Sequence, residues 1–171
     1  MKTKIIISLL IVAFTTLFFM GCSKQAGPAG LDGQNATVYY SDWVTPATWS
    51  GATGDWYFDV NAPDLTSDIV ENGVVLAYVW LAGDFYDGTA VRPLPAYALG
   101  ANWSFLVHQY GSIEFTSDMV LKPATTGNKF RFIAIPGTLP ALKSAMLNNK
   151  SAQDLKSMSY KDVCKLLNIP E

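Results

Sequence analysis

Histidine and cysteine are nearly absent from this chain of 171 residues, and the shortage removes most familiar chemistries. The one histidine, His108, cannot by itself build a multi-histidine zinc site. No Gly-x-Ser-x-Gly turn accompanies it to suggest a hydrolase triad, so a strand histidine with a local hydrogen bond is the expected role. Gly-x-x-x-x-Gly-Lys and Gly-x-Gly-x-x-Gly loops are missing, which leaves nucleotide binding without support. Charged residues make up only 15% of the chain, and 12 basic side chains face 14 acidic ones. No Lys/Arg run forms beyond the extreme N-terminus, so nucleic acid is excluded as a partner. Glycoside hydrolysis needs two carboxylates about 5 to 9 Å apart. Asp55 and Asp59 share a strand face, but strand rise separates them by about 13 Å. These absences predict a protein that binds without catalysing and that carries no cofactor.

What the chain does have begins at its N-terminus. Lys2 and Lys4 precede an uncharged run from Ile5 to Met20, followed by Gly21 and Cys22, which is the layout of an export signal. As a spanning helix the run would reach only about 24 Å, short of the roughly 30 Å hydrocarbon core. The junction Phe19-Met20-Gly21-Cys22 resembles the lipobox of bacterial lipoproteins, with Phe19 and Met20 where small residues or Leu are usual. The resemblance implies cleavage after residue 21 and acylation of Cys22. Each buried CH₂ contributes about 0.8 kcal/mol, so two or three acyl chains would hold the protein on a membrane almost permanently. That leaves Cys164 as the remaining thiol, read as a small buried hydrophobe beside Val163 and Leu167.

Residues 22–35 read as a tether. Gly27-Pro28-Ala29, Gly30-Leu31-Asp32 and Gly33-Gln34-Asn35 keep a collagen-like phase, far too short for a triple helix. From residue 36 the periodicity is that of strands. Runs rich in Val, Ile, Tyr, Phe and Trp at 37–44, 56–60, 74–81, 91–99, 103–110, 113–116 and 130–135 predict about seven. Pro93 and Pro95 place the fourth run on a sheet edge or make it irregular. Pro140 opens a short helix carrying Leu142, Ala145 and Met146, and Ser159 with Asp162 has capping-box spacing. Tyr160, Val163, Cys164 and Leu167 then form one apolar helical stripe. The expected fold is mainly β: an antiparallel β-sandwich spanning 36–171, with a short C-terminal helical cap over an end or edge.

Aromatics supply the candidate binding residues. Five Trp and eight Tyr are many for a chain of this size, and such rings give large, stiff contact area with a polar tip. Trp43, Trp49, Trp56 and Tyr57 alternate with Asp, Ser and Thr and are the candidate ligand platform. Trp49, in the turn-like Ala47-Thr48-Trp49-Ser50-Gly51, is the first choice for an exposed ring. Asp84 and Asp87 are a weak candidate calcium pair, since the ion wants six to eight oxygens.

Several segments together resemble small bacterial lipoproteins in which a collagen-like Gly-triplet linker follows the lipidated Cys and leads into a β-rich domain. The matching stretches are Gly27-Pro28-Ala29-Gly30, Tyr40-Ser41-Asp42-Trp43, Ala62 to Tyr78, Arg92 to Tyr97, Lys129 to Gly137 and Tyr160 to Ile169. The resemblance implies an anchor and a fold and brings no catalytic residue with it. The expectation is a lipid-anchored envelope protein at the outer membrane, its face left open, binding a glycan through exposed aromatics. The alternative is an accessory lipoprotein that holds another envelope protein along a sheet edge.

Overall fold

The computed structural model describes residues 38–84, 91–137 and 150–171. The signal, Cys22, the tether, Asp87 and the helix expected after Pro140 lie outside the described residues. Within them the chain builds nine strands: β1 (Tyr39–Tyr40), β2 (Ser50–Ala52), β3 (Asp55–Asn61), β4 (Val74–Trp80), β5 (Arg92–Pro93), β6 (Ala96–Ala98), β7 (Ala101–Leu106), β8 (Ser112–Ser117) and β9 (Lys129–Ile135). Three short helices join them: α1 (Ser67–Asn72), α2 (Ala152–Ser157) and α3 (Tyr160–Leu167). One sheet has the order β1-β9-β4-β5 and the other β2-β3-β8-β7-β6, every pairing antiparallel.

The architecture is the expected antiparallel sandwich with a helical cap. Alternation along the strands decides which residues meet between the sheets. Phe58, Trp103, Ile113 and Phe115 from the five-stranded sheet close on Ala77, Val79, Phe130, Phe132 and Ala134 from the four-stranded one. Phe130 lies at the centre, with the rings of Phe58 and Phe115 each 5.0 Å from its own. Each such ring contributes roughly 1.5–3 kcal/mol by leaving water.

The count differs from the expected seven for local reasons. The run at 91–99 divides at Leu94-Pro95, a cis peptide, with β5 on the edge of one sheet and β6 on the edge of the other. Pro93 therefore lies in an edge strand, as its missing N–H requires, and Pro95 falls in the irregular connection between the two strands. Of the run expected at 37–44, the described residues 38–44 keep only β1 and an isolated bridge from Val44 to Phe130. The run at 103–110 stops at Leu106, so His108 belongs to the connection before β8. A hairpin strand, β2, was missed. So was α1, whose last turn enters β4 through Gly73; a Cβ there would fall 2.2 Å from the carbonyl oxygen of Ile135.

The cap also lies elsewhere than expected. Its helices cover the outer face of the four-stranded sheet, not an end or edge of the sandwich. Leu155 of α2 and Tyr160, Val163 and Cys164 of α3 pack on Val74, Leu76, Tyr78, Ile133 and Ile135. Under the cap that face of β4 and β9 is apolar at Val74, Leu76, Ile133 and Ile135, so these central strands are buried on both sides along most of their length. Capping starts each helix: Ser151 and Asp154 form a reciprocal capping box, and the Ser159 hydroxyl accepts the Asp162 N–H.

Candidate functional site

The apolar outer face of the four-stranded sheet is not covered along its whole length. Alternation brings Tyr78 and Trp80 of β4 and Lys129 and Arg131 of β9 to that face, and Trp80 pairs directly with Lys129. Helix α3 covers the Tyr78 and Arg131 level and stops there. Beyond it opens a cleft of about 490 Å³ lined by Trp43, Trp80, Val91, Lys129, Tyr160, Lys161 and Glu171. Trp43 and Trp80 are half-buried, whereas Lys129, Lys161 and Glu171 are exposed.

The floor of the cleft is fixed by a buried cation. Arg131 is 3% exposed, and its guanidinium donates to the carbonyls of Ser41 at 2.8 Å and Pro170 at 2.7 Å and to the Tyr160 hydroxyl. It also lies over the rings of Tyr40, Trp43 and Tyr160, at 5.0, 6.0 and 5.8 Å. Trp43 meets Tyr160 edge to face at 5.4 Å, and Tyr160 meets Tyr78 likewise at 4.9 Å. Burial first, then hydrogen bonding with Cys164, pushes the Tyr160 phenol up to about 12 against the opposing pull of Arg131. Burial likewise pushes the Tyr78 phenol and the Cys164 thiol upward. The Lys129 ammonium covers one face of Trp80 at 5.4 Å. Both indoles thus line the cleft beside the ammonium groups of Lys129 and Lys161 and the carboxylate of Glu171.

No family model, curated protein or solved structure matches the chain. The resemblance to collagen-linked lipoproteins thus rests on its sequence motifs alone.

Of the aromatics singled out in the sequence, only Trp43 lines this cleft. Trp49 is the clearest correction: it is 1% exposed and belongs to the core. Its ring stands edge-on to Phe58 at 4.8 Å, Phe130 at 5.8 Å and Trp103 at 6.0 Å, and its indole N–H donates to the Ala124 carbonyl. A turn-like neighbourhood does not expose a ring when the segment, leading into β2, sets it among rings from both sheets. Trp56 is half-buried, donates to the Met119 carbonyl at 3.0 Å and is covered by Lys122. Tyr57 lies on the outer face of the other sheet, opposite Thr116. The four do not form one platform.

Of the weak candidate calcium pair only Asp84 is described, Asp87 lying outside the described residues. Asp84 is buried and accepts from Arg92 through both carboxylate oxygens, at 2.5 and 2.9 Å, so its counter-charge is a guanidinium. Sequence reasoning missed Trp80, Lys129, Tyr160 and Lys161 as cleft residues. The available signal was the alternation Lys129, Arg131 beside Tyr78, Trp80, two charged positions inside otherwise apolar strands.

Proposed function

We propose that this is a lipid-anchored protein of the cell envelope that binds and does not catalyse, and that its ligand is an acidic saccharide held in the cleft between Trp43 and Trp80. The observation that carries the reading is the pairing of two half-buried indoles with the ammonium groups of Lys129 and Lys161 in one cleft. Indole faces accept the C–H face of a pyranose ring, while ammonium groups meet carboxylate or phosphate substituents. The signal-like N-terminus and Cys22 support the anchor. An array of neutral and acidic glycans, probed with the full chain in detergent, tests the ligand. Acidic glycans are expected to bind, and the pair Trp43→Ala with Trp80→Ala to abolish binding while the thermal melt stays cooperative. A blank array from folded protein overturns the saccharide.

A second reading, a protein partner, draws on four exposed apolar side chains of the five-stranded sheet and its connections. Tyr97, Leu99, Val120 and Leu121 are exposed at 69%, 42%, 74% and 76%. The β6–β7 turn and the segment after β8 share one end of the five-stranded sheet, where Asn102 of β7 bonds to Asp118. Large exposed apolar side chains of this kind suit a protein partner. Crosslinking in intact cells from positions 97 and 121 is expected to recover one reproducible partner under this reading; none would count against it.

A further inference from the structure

A second site lies on the outer face of the five-stranded sheet, away from the cleft. Asp59 of β3 and Glu114 of β8 stand directly opposite each other, and these are inner strands whose register is set by partners on both sides. Like charges at such a position repel, and cross-strand pairs of this kind ordinarily destabilise a sheet. The third member is His108, carried back over the pair by the connection between β7 and β8. One potential ligand atom from each of the three lies within 4.8 Å of those of the other two. Asp59 and His108 are exposed and Glu114 is half-buried, so the group is open to solvent on one side.

The connection that carries His108 is itself held down. Gly111 takes a left-handed φ of 79°, its N–H donates to the Leu65 carbonyl at 2.9 Å, and its carbonyl accepts from Ala62 at 2.8 Å. The Tyr110 hydroxyl donates to the Glu71 carboxylate on α1. His108 therefore sits on a turn tied at two points to the neighbouring chain, facing a carboxylate pair set by strand register. Ligands on supported elements of this kind lose little freedom when they close on an ion.

We infer that Asp59, His108 and Glu114 form a binding site for a divalent transition-metal ion of the zinc class. The donor set selects the ion. An imidazole nitrogen is a poor ligand for calcium or magnesium, which take oxygen, while one nitrogen with two carboxylates suits zinc. Tetrahedral zinc with ligands at about 2.0–2.2 Å brings its donor atoms to within about 3.5 Å of one another. The donor atoms already lie within 4.8 Å of one another, about 1 Å beyond that spacing. Three protein ligands leave the fourth position to water.

Zinc titration of the metal-stripped full chain in detergent, followed by calorimetry, tests the site. A single zinc ion is expected to bind, with affinity lowered about tenfold or more in His108→Ala and in Asp59→Asn, and unchanged in Asp55→Asn, an acidic neighbour on the same strand face. Cobalt substitution gives an independent signature: absorption of four-coordinate cobalt in the visible range, lost in His108→Ala. Melting curves of each variant establish that it is folded before its affinity is read. The site is overturned if folded His108→Ala binds zinc as the parent does, if Asp55→Asn weakens binding as much as Asp59→Asn, or if no zinc binds.

Discussion

Trp49 and Arg131 show how differently single side chains act in this molecule from what their neighbours in sequence suggest. Trp49 fills the middle of an aromatic cluster, so Trp49→Ala is expected to cost about 3–5 kcal/mol of unfolding free energy, measured by urea denaturation. Were it a surface ligand residue, the loss would be within about 0.5 kcal/mol. Arg131 is a buried cation whose partners are carbonyls, a hydroxyl and ring faces. Arg131→Met leaves the Ser41 and Pro170 carbonyls without it and is expected to cost about 2–3 kcal/mol. Tyr160 carries a dependence on alkaline pH. Its folded value of about 12 lies above the ordinary 10, so the folded state holds a proton that the unfolded chain releases. The associated stability is complete below pH 10 and is lost as pH rises through about 12. Denaturation series from pH 9 to 12 are expected to show this decline, shallower in Tyr160→Phe. Cys164, 1% exposed with its thiol pushed upward by burial, is expected to resist alkylation until the protein unfolds.

At the scale of elements, the cap is the part whose formation depends most on short-range chemistry. Helices of six and eight residues are too short to hold in water on their own, and α2 and α3 exist because they cover an apolar sheet face and because their first turns are capped. Ser151→Ala and Ser159→Ala are each expected to lower stability by about 1 kcal/mol, read from urea midpoints. Because α3 forms one wall of the cleft, the double variant is also expected to weaken ligand binding there while leaving zinc binding unchanged. The capping box of α2 was present in the sequence as Ser151 and Asp154 and went unread, whereas Ser159 and Asp162 stood out because a clear apolar stripe followed them. Helix α1, from Ser67 to Asn72, offered little such pattern: only Ile69 among its residues is buried.

At the scale of the whole molecule, the two faces of the sandwich have been put to different uses. Helices cover much of the four-stranded sheet and leave an aromatic cleft with two lysines beside them, while the outer face of the five-stranded sheet carries Asp55 and Asp59 exposed and Tyr57, Thr116 and Glu114 half-buried. Among the described residues no helix is long and apolar enough to cross a membrane. Attachment in the proposed reading falls to the acylated Cys22. Cys22→Ser is expected to move the protein from the membrane pellet to the soluble envelope fraction, and a variant that remains in the pellet would remove the anchor from the proposal.

Local pattern was enough to determine that this is a β-sandwich, roughly where its strands run, that proline marks the sheet edges and that α3 presents a single apolar stripe. All of these depend on side chains within a few positions of one another, where a period of two or of 3.6 is written directly. Tertiary structure decided the rest. Whether a Trp lies in the core or in a cleft depends on which sheet folds over it, so Trp49 and Trp43, six positions apart, have opposite fates. Residues far apart in the chain meet only through strand register and helix packing: Trp43, Trp80, Lys129 and Lys161 in one cleft, and Asp59, His108 and Glu114 on one face. Neither grouping has a spacing to read, because the contact is made by the sheets and not by the chain.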